Sequence, residues 1–378
     1  MEANDTPLFK RDNIHLTTQQ VDSYNRWDNY FITTRGMGKS TICWAKVYKE
    51  HCDGLCSIIQ KNRPVEITQT WISDIANEIN KFRKPSQYVE VFKHKGSNLK
   101  DGCLDIDIKE NNKVSRLCRV VCIGQEVKRF KSMVLPNVGN IYVDEFIPDI
   151  RHGEKWLDGL TWRANTLHST FSRFAYETRG VVIKRYWFGN PYSRYIPPLF
   201  EQYDIDTTQL KPGALLVGKD YVVTLATPSK ELKELLRKEN PTLLNDINKE
   251  WLDFMNGEFT ADANYDILRE QPKGYGLHWV FRICNTYIGV YRDNNEDGYD
   301  YEDIEHHKYW IATLPRDYQT KQHSIYCFDF NNFVKGGAMV LRADKMKMEV
   351  LKCAIAYRRV AFQDTNAAAI VETMYSSL

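Results

Sequence analysis

Eight residues near the N-terminus, Thr34-Arg35-Gly36-Met37-Gly38-Lys39-Ser40-Thr41, constrain this chain more than any other stretch. They follow an apolar run, Asn29 to Thr34, that reads as a buried strand, and they precede a run from Thr41 to His51 that reads as a helix. In that setting two glycines let the backbone curl around an anion, Lys39 reaches terminal phosphates, and the Ser40 hydroxyl holds Mg²⁺. The helix that follows aims its first amides, and the positive end of its dipole, at the same phosphates. Gly36, Met37, Gly38, Lys39, Ser40 and Thr41 are therefore candidate nucleotide-binding residues, and Arg35 inside the loop must lie near the same ligand. The match to G-x-x-x-x-G-K-[ST] departs at its first position, which is Thr33.

A second apolar stretch, Ile141-Tyr142-Val143, ends in the carboxylates Asp144 and Glu145. Asp144 at a strand tip suits a hold on Mg²⁺, and Glu145 suits polarisation of the water that attacks a γ-phosphate. Alone, such a pair is a solvated strand end or a helix cap. Combined with a phosphate loop on an alternating strand–helix pattern, it reads as a site for nucleoside triphosphate hydrolysis. The strand-like run Val181 to Phe188 ends at Gly189-Asn190-Pro191. Strands of such a sheet end on one side, at the ligand crevice, so Asn190 is a candidate sensor of the terminal phosphate; the alternative is a plain Asn-Pro turn. Trp27, upstream of the loop, is a candidate for stacking on the base, with packing against the sheet as the other reading. A further cation beyond Lys39 would help phosphoryl transfer; Arg173, Arg179 and Lys131 lie where one could be supplied, though surface cations are usually only solvated.

Lysine plus arginine number 51 against 49 acids, so any nucleic-acid affinity must be local. Lys81, Arg83 and Lys84, then Lys93 and Lys95, form clusters able to grip phosphodiester without reading bases; an ordinary soluble surface is the alternative. The nine cysteines are scattered and no membrane-length or signal-like run is visible, which fits a reducing, cytosolic-type compartment. The acidic stretch Asp293 to Glu305 crowds its carboxylates into one loop, and Trp279 to Val290 before it has none. That is a solvated loop rather than a nuclease metal site.

Strands alternating with helices give an α/β class with a mostly parallel central sheet, extended by antiparallel strands around Tyr88–Phe92, Leu104–Ile108 and Leu117–Ile123. The expected organisation is a P-loop domain over 1–228, a helical linker over 229–256 and a mostly β domain over 257–378. In the last, Gly276 to Val290 and Tyr309 to Leu314 read as strands, and Lys345 to Ala361 reads as a helix.

On TTRGMGKST, PNVGNIYVDEF and FGNPYSRY the sequence resembles the DNA-packaging motor ATPases of phi29-type tailed phages, relatives of the terminase large subunits. The resemblance covers residues 25–200 by motif and the remainder by architecture. It implies an additional-strand catalytic-glutamate (ASCE) P-loop ATPase domain followed by a small α+β RNase H-like domain, a vestigial nuclease without its acids. It implies ATP and Mg²⁺ as ligands, double-stranded DNA as the cargo, and a homo-oligomeric ring, typically a pentamer, on the portal or connector of a procapsid. Some members use a structural packaging RNA. The implied location is the host cytoplasm, transiently on the procapsid and absent from the mature virion, with no membrane involved. By motif position Lys39 and Ser40 resemble the phosphate and Mg²⁺ residues, Asp144 the Mg²⁺ aspartate and Glu145 the catalytic glutamate. Arg173 best resembles a trans-acting arginine finger, Arg179 comes second, and Lys131 resembles a trans-acting lysine. Arg35 within the loop is typical of the group. Two readings compete: an active terminase or helicase-like ATPase with nuclease activity, and a nucleotide-dependent assembly switch without sustained turnover.

Overall fold

β1 (Asp28–Thr33) is buried along its whole length, its polar Asp28, Asn29 and Thr33 included, as befits a central parallel strand. In this computed structural model it lies between two parallel neighbours, β7 (Arg185–Gly189) and β9 (Tyr221–Ala226). β7 pairs in parallel with β6 (Val138–Asp144), β6 with β2 (Cys56–Lys61), and β2 with β5 (Lys113–Cys122). Antiparallel strands finish both edges: β4 (Cys103–Glu110) and β3 (Glu90–Lys93) beyond β5, and β8 (Leu215–Val217) beyond β9. The order is β3-β4-β5-β2-β6-β7-β1-β9-β8. The parallel core with antiparallel additions is the one the sequence predicts. β7 stands as an extra strand between the phosphate-loop strand and the strand that ends in Asp144, which is the ASCE arrangement.

The structure describes residues 19–34, 36–63, 66–81, 83–97, 103–124, 137–148, 159–192, 196–203, 213–228, 266–283, 286–294, 307–315, 323–327, 340–342, 345–356 and 359–364, with a few single positions besides. Helices in chain order are α1 (Gln19–Ser23), α2 (Lys39–Cys52), α3 (Gln69–Asn80), α4 (Leu160–Arg179), α5 (Pro197–Tyr203) and α6 (Lys345–Ala356). α2 buries Ile42, Cys43, Trp44 and Val47, and α3 buries Ile72, Ile75 and Ile79 at helical spacing. Both stripes join a core with Phe31, Ile59, Val120, Tyr142 and Phe188 from the sheet. The Thr68 side chain caps α3 by accepting the Trp71 N–H at 3.1 Å. On β1 and β7, side chains of the opposite parity stack: the Tyr30 and Trp187 rings lie 5.2 Å apart, with Phe146 edge-on to both. Gly189 is required there, because a Cβ would fall 2.7 Å from the Phe146 ring.

The chain divides into two compact units. One comprises Met1–Ile147, Trp162–Pro191 and Lys211–Glu258; the other comprises Pro148–Thr161, Tyr192–Leu210 and Phe259–Leu378. Of the linker expected over 229–256, only 230, 234 and 238 are described, all helical. The second unit has a seven-stranded sheet. β11 (Tyr275–Ile283), β12 (Thr286–Asp293) and β13 (Tyr309–Leu314) form an antiparallel meander, while β14 (Ile325–Cys327) and β15 (Val340–Arg342) extend it in parallel beyond β11. β16 (Val360–Phe362) lies beside β13, and β10 (Asp266–Ile267) beyond it. Met348 and Leu351 of α6 pack into the core of this sheet.

Three expectations need correction here. The helix read through Ala361 stops at Ala356, and Val360–Phe362 is a fully buried strand; a short apolar run after a helix continues its periodicity and hides the change. The run Gly276 to Val290 is a hairpin of two strands rather than one. Asp293, read as part of a solvated loop, is 4% exposed at the end of β12; most of that acidic stretch lies outside the described residues.

Candidate nucleotide site

The candidate phosphate loop leaves the C-terminal end of β1, and its glycines take the backbone where other residues rarely go. Gly36 and Gly38 have φ of 81° and 82°, and the Gly38 carbonyl accepts the Ile42 N–H at 2.9 Å to start α2. Lys39 Nζ donates to the Thr33 carbonyl at 2.8 Å, the Thr34 carbonyl at 2.7 Å and Asn190 Oδ1 at 2.7 Å. The tip of β1, the start of α2 and the tip of β7 therefore meet on one ammonium group. The sequence marks Asn190 and Lys39 independently, 151 positions apart, and the strand order brings them together. Ser40 is exposed at the first turn of α2. Thr41 donates from Oγ1 to Glu78 Oε2 on α3 at 2.7 Å.

Asp144 closes β6 at the same end of the sheet. Its Oδ2 accepts from Lys61 Nζ at 2.8 Å, at the last position of neighbouring β2. The Lys61 ammonium also lies 4.0 Å from Glu66 and 5.3 Å from the centre of the Trp71 ring. Burial alone favours a neutral lysine, but the Asp144, Glu145 and Glu66 carboxylates outweigh it and hold the Lys61 pKa above its ordinary value. Burial likewise pushes the Glu66 carboxyl up, with Lys61 opposing. Glu145 is exposed and has φ of 50°, while the other described non-glycine residues with positive φ are all asparagines. A glutamate in the left-handed region carries local strain, of the kind found where a side chain must be aimed. The Phe146 N–H then donates to the Phe188 carbonyl at 3.2 Å, tying the turn back to β7.

The donor set suits Mg²⁺ more than other metals. Ser40 and Asp144 offer one hydroxyl and one carboxylate, both hard oxygen ligands. Among the described residues no three His, Cys, Asp or Glu side chains group into a metal cage. Mg²⁺ is characteristically bound by one or two protein oxygens together with substrate phosphates.

Sequence reasoning missed Lys61, Glu50 and Glu78. Glu50, near the end of α2, accepts from Ser57 Oγ at 2.5 Å, the Asn140 N–H at 3.0 Å, Asn140 Nδ2 at 2.5 Å and Tyr142 Oη at 2.7 Å. A carboxylate there opposes the helix dipole, and four donors compensate while fastening α2 to β2 and β6. The available signal was a charge inside or at the end of an apolar run, as with Lys61 after Ser57-Ile58-Ile59-Gln60.

Other expected residues fall elsewhere. Trp27 precedes β1 at the end away from the loop, about 20 Å along a six-residue strand; it is half exposed and its carbonyl accepts the Arg185 N–H at 2.7 Å. It is not brought to the phosphate loop. Arg179 donates to the Val138 carbonyl at the start of β6, the end opposite Asp144. Arg173 is exposed on α4, with a 4.0 Å ion pair to Glu177. Arg35 and Lys131 lie outside the described residues. Among the basic clusters, Lys81 pairs with Glu78 at 2.6 Å, and Arg83 is bound to Tyr48, the Gln87 carbonyl and Glu110. Lys84, Lys93 and Lys95 are exposed.

The sequence matches no family model and no curated protein. Among solved structures the chain is similar to the Phi-28 gp11 DNA packaging motor, with 12% identity, a TM-score of 0.58, and coverage of 96% of this chain and 97% of that one. It is similar also to the bacteriophage Phi-29 viral genome packaging motor assembly, with 15% identity, a TM-score of 0.59, and coverage of 96% and 99%. At these identities the likeness is one of fold, and it extends over nearly the whole chain.

Proposed function

We propose, from a chain that carries the fold of phage DNA-packaging motors nearly from end to end, that this protein is an ATPase that drives double-stranded DNA into a procapsid as a homo-oligomeric ring. The observation that carries the proposal is the meeting of Thr33, Lys39 and Asn190 on one ammonium, with Asp144 and Glu145 on the second strand over. Lys39 and the loop amides bind the phosphates, Asn190 reads the terminal one, and Glu145 orients the attacking water. Ser40 and Asp144 would hold Mg²⁺, which would supply neutralisation of phosphate charge. Arg173, exposed on α4, is the residue we assign to a neighbouring subunit's site, ahead of Arg179, whose guanidinium the fold already uses. DNA contact falls to Lys84, Lys93 and Lys95, ahead of Lys81, which pairs with Glu78 on the surface, and Arg83, which the fold already holds; such contacts are sequence-independent and salt-sensitive. The portal, a pentameric ring and a packaging RNA are the partners the family reading adds.

The second unit's strand order β13-β12-β11-β14-β15 supports an RNase H-like domain, and neither β11 nor β14 contains an acidic residue. We therefore assign it no nuclease activity, against the terminase-like alternative.

Steady-state ATPase measured with and without DNA and procapsids tests the proposal. Stimulation is expected; basal turnover that neither component changes would instead favour an assembly switch. For the finger, Arg173→Ala should bind ATP and hydrolyse it about 1,000-fold more slowly, and mixing it with Glu145→Gln should restore part of the activity. No restoration at any mixing ratio or order of addition would place Arg173 outside a neighbour's site.

A further inference from the structure

Thr33 stands where the phosphate-loop pattern expects a glycine, and its hydroxyl is not used by the fold. The residue is 0% exposed, and its Oγ1 is buried without a hydrogen-bond partner. A buried hydroxyl left this way destabilises the arrangement that contains it, and a second arrangement can use it.

The neighbouring groups supply one. An ammonium has three donors, and among the described residues Lys39 gives them to the Thr33 carbonyl, the Thr34 carbonyl and Asn190 Oδ1. The two carbonyls belong to the loop itself. Asn190 belongs to the next strand: Ile32 pairs with Gly189, so Thr33 and Asn190 are the residues that follow on adjacent parallel strands. When Lys39 turns toward a terminal phosphate it must loosen its hold on a present acceptor, and Asn190 is the one that is not part of the loop. Asn190 is only 5% exposed, so water cannot readily replace the lost donor. The Thr33 hydroxyl is a donor at the neighbouring position and has no other engagement.

We propose that Thr33 is a positioning residue that takes over the Asn190 side chain when the γ-phosphate draws Lys39 away. The hydroxyl is orphaned while Lys39 holds Asn190 and satisfied once Lys39 turns to the γ-phosphate, so it favours ATP over ADP. It acts through Asn190 and touches no reacting atom. This inference rests on the nucleotide-hydrolysis reading of the same site.

The test uses the full chain with Thr33→Val, which keeps the shape and removes the hydroxyl, and Thr33→Ser, which restores it. Thermal melting without nucleotide is measured first. The Val variant should melt at or above the wild-type temperature, because it deletes an orphaned group; a Val variant that fails to fold, or melts lower, overturns the proposal. Affinities for Mg·ADP and for a non-hydrolysable Mg·ATP analogue are then measured by displacement of a fluorescent nucleotide. Thr33→Val should weaken the analogue about fivefold to tenfold, the scale of one buried hydrogen bond, and leave ADP unchanged. Thr33→Ser should return the analogue to wild-type affinity, and in an Asn190→Ala background the Val substitution should have no further effect. Equal weakening of both nucleotides, or of neither, overturns the proposal, as does persistence of the effect without Asn190. A wild-type chain that binds neither nucleotide refutes the hydrolysis reading itself, whereas normal wild-type binding with an indifferent Val variant refutes only the role of Thr33.

Discussion

Two ion pairs sit at opposite ends of one parallel sheet, and they are built for different purposes. At the end where β1 and β7 begin, Arg185 grips Asp28 with two bonds, at 2.5 and 2.6 Å, and both side chains are almost wholly buried. Trp187 Nε1 donates to the same carboxylate at 3.0 Å, and Asn165 accepts the other arm of the guanidinium at 2.6 Å. At the end where β2 and β6 finish, Lys61 holds Asp144 by a single bond, and the carboxylate stays 18% exposed. A buried planar fork held at both prongs by one carboxylate and at its other arm by Asn165 has one geometry available. A point charge on a flexible stem beside a partly solvated carboxylate can exchange partners, as the Mg²⁺-holding role we propose for Asp144 requires. Burial and completeness of hydrogen bonding, more than residue type, separate a structural pair from a working one.

The sharpest way to break this contrast is to remove one partner at each end. Arg185→Met leaves Asp28 charged and buried, and should cost about 3–5 kcal/mol of unfolding free energy. The Asp28→Leu/Arg185→Met double variant should recover most of that loss, since replacing both members of a buried pair is often neutral. Urea denaturation measures both, and a single variant no less stable than the double would show that the pair is not structural.

A smaller effect comes from His168 on α4, near the same arginine. Burial first, and the Arg185 guanidinium second, push its imidazole down to about 4 from an ordinary value of 6.5. Above pH 6.5 the group is neutral in both states and its contribution is complete. As the pH falls toward 4 the unfolded chain takes up a proton that the folded chain refuses, and about 3 kcal/mol of stability should be lost. His168→Gln should flatten this part of the stability profile between pH 6.5 and pH 4; an unchanged slope would assign the acid sensitivity to other groups.

The smallest effect belongs to the working pair. Lys61→Met should cost less than about 2 kcal/mol of stability, because Asp144 keeps access to water. It should also lower the Mg²⁺ concentration that half-saturates nucleotide binding about fivefold, near 1 kcal/mol, since a competing cation is gone. Nucleotide-binding titrations at graded Mg²⁺ read this directly. A stability loss matching that of Arg185→Met would erase the distinction between the two ends.

Much of this was legible from the chain. The loop Thr34 to Thr41, the strand ending in Asp144 and Glu145, and the tip at Asn190 are local patterns, because a strand tip followed by glycines or carboxylates announces itself within a few residues. Trp27 misled because closeness in sequence to the loop is separation in space when a strand intervenes. Lys61 and Glu50 went unread because their roles depend on which strands are neighbours. Nothing near Lys61 in sequence indicates that β2 lies against β6, and nothing near Glu50 shows that Ser57, Asn140 and Tyr142 converge on it.

The sequence by itself determined the class of fold, the glycine loop after the first strand and the polar groups that loop carries, since these follow from hydrophobic period, glycine placement and residue identity. Tertiary structure alone decided that β7 separates β1 from β6, that Asn190 reaches Lys39, and that Lys61 rather than a more distant cation sits on Asp144. The physical reason is that a parallel sheet gathers the ends of strands far apart in the chain onto one edge. Their order there is set by the packing of the whole sheet, which no single segment encodes.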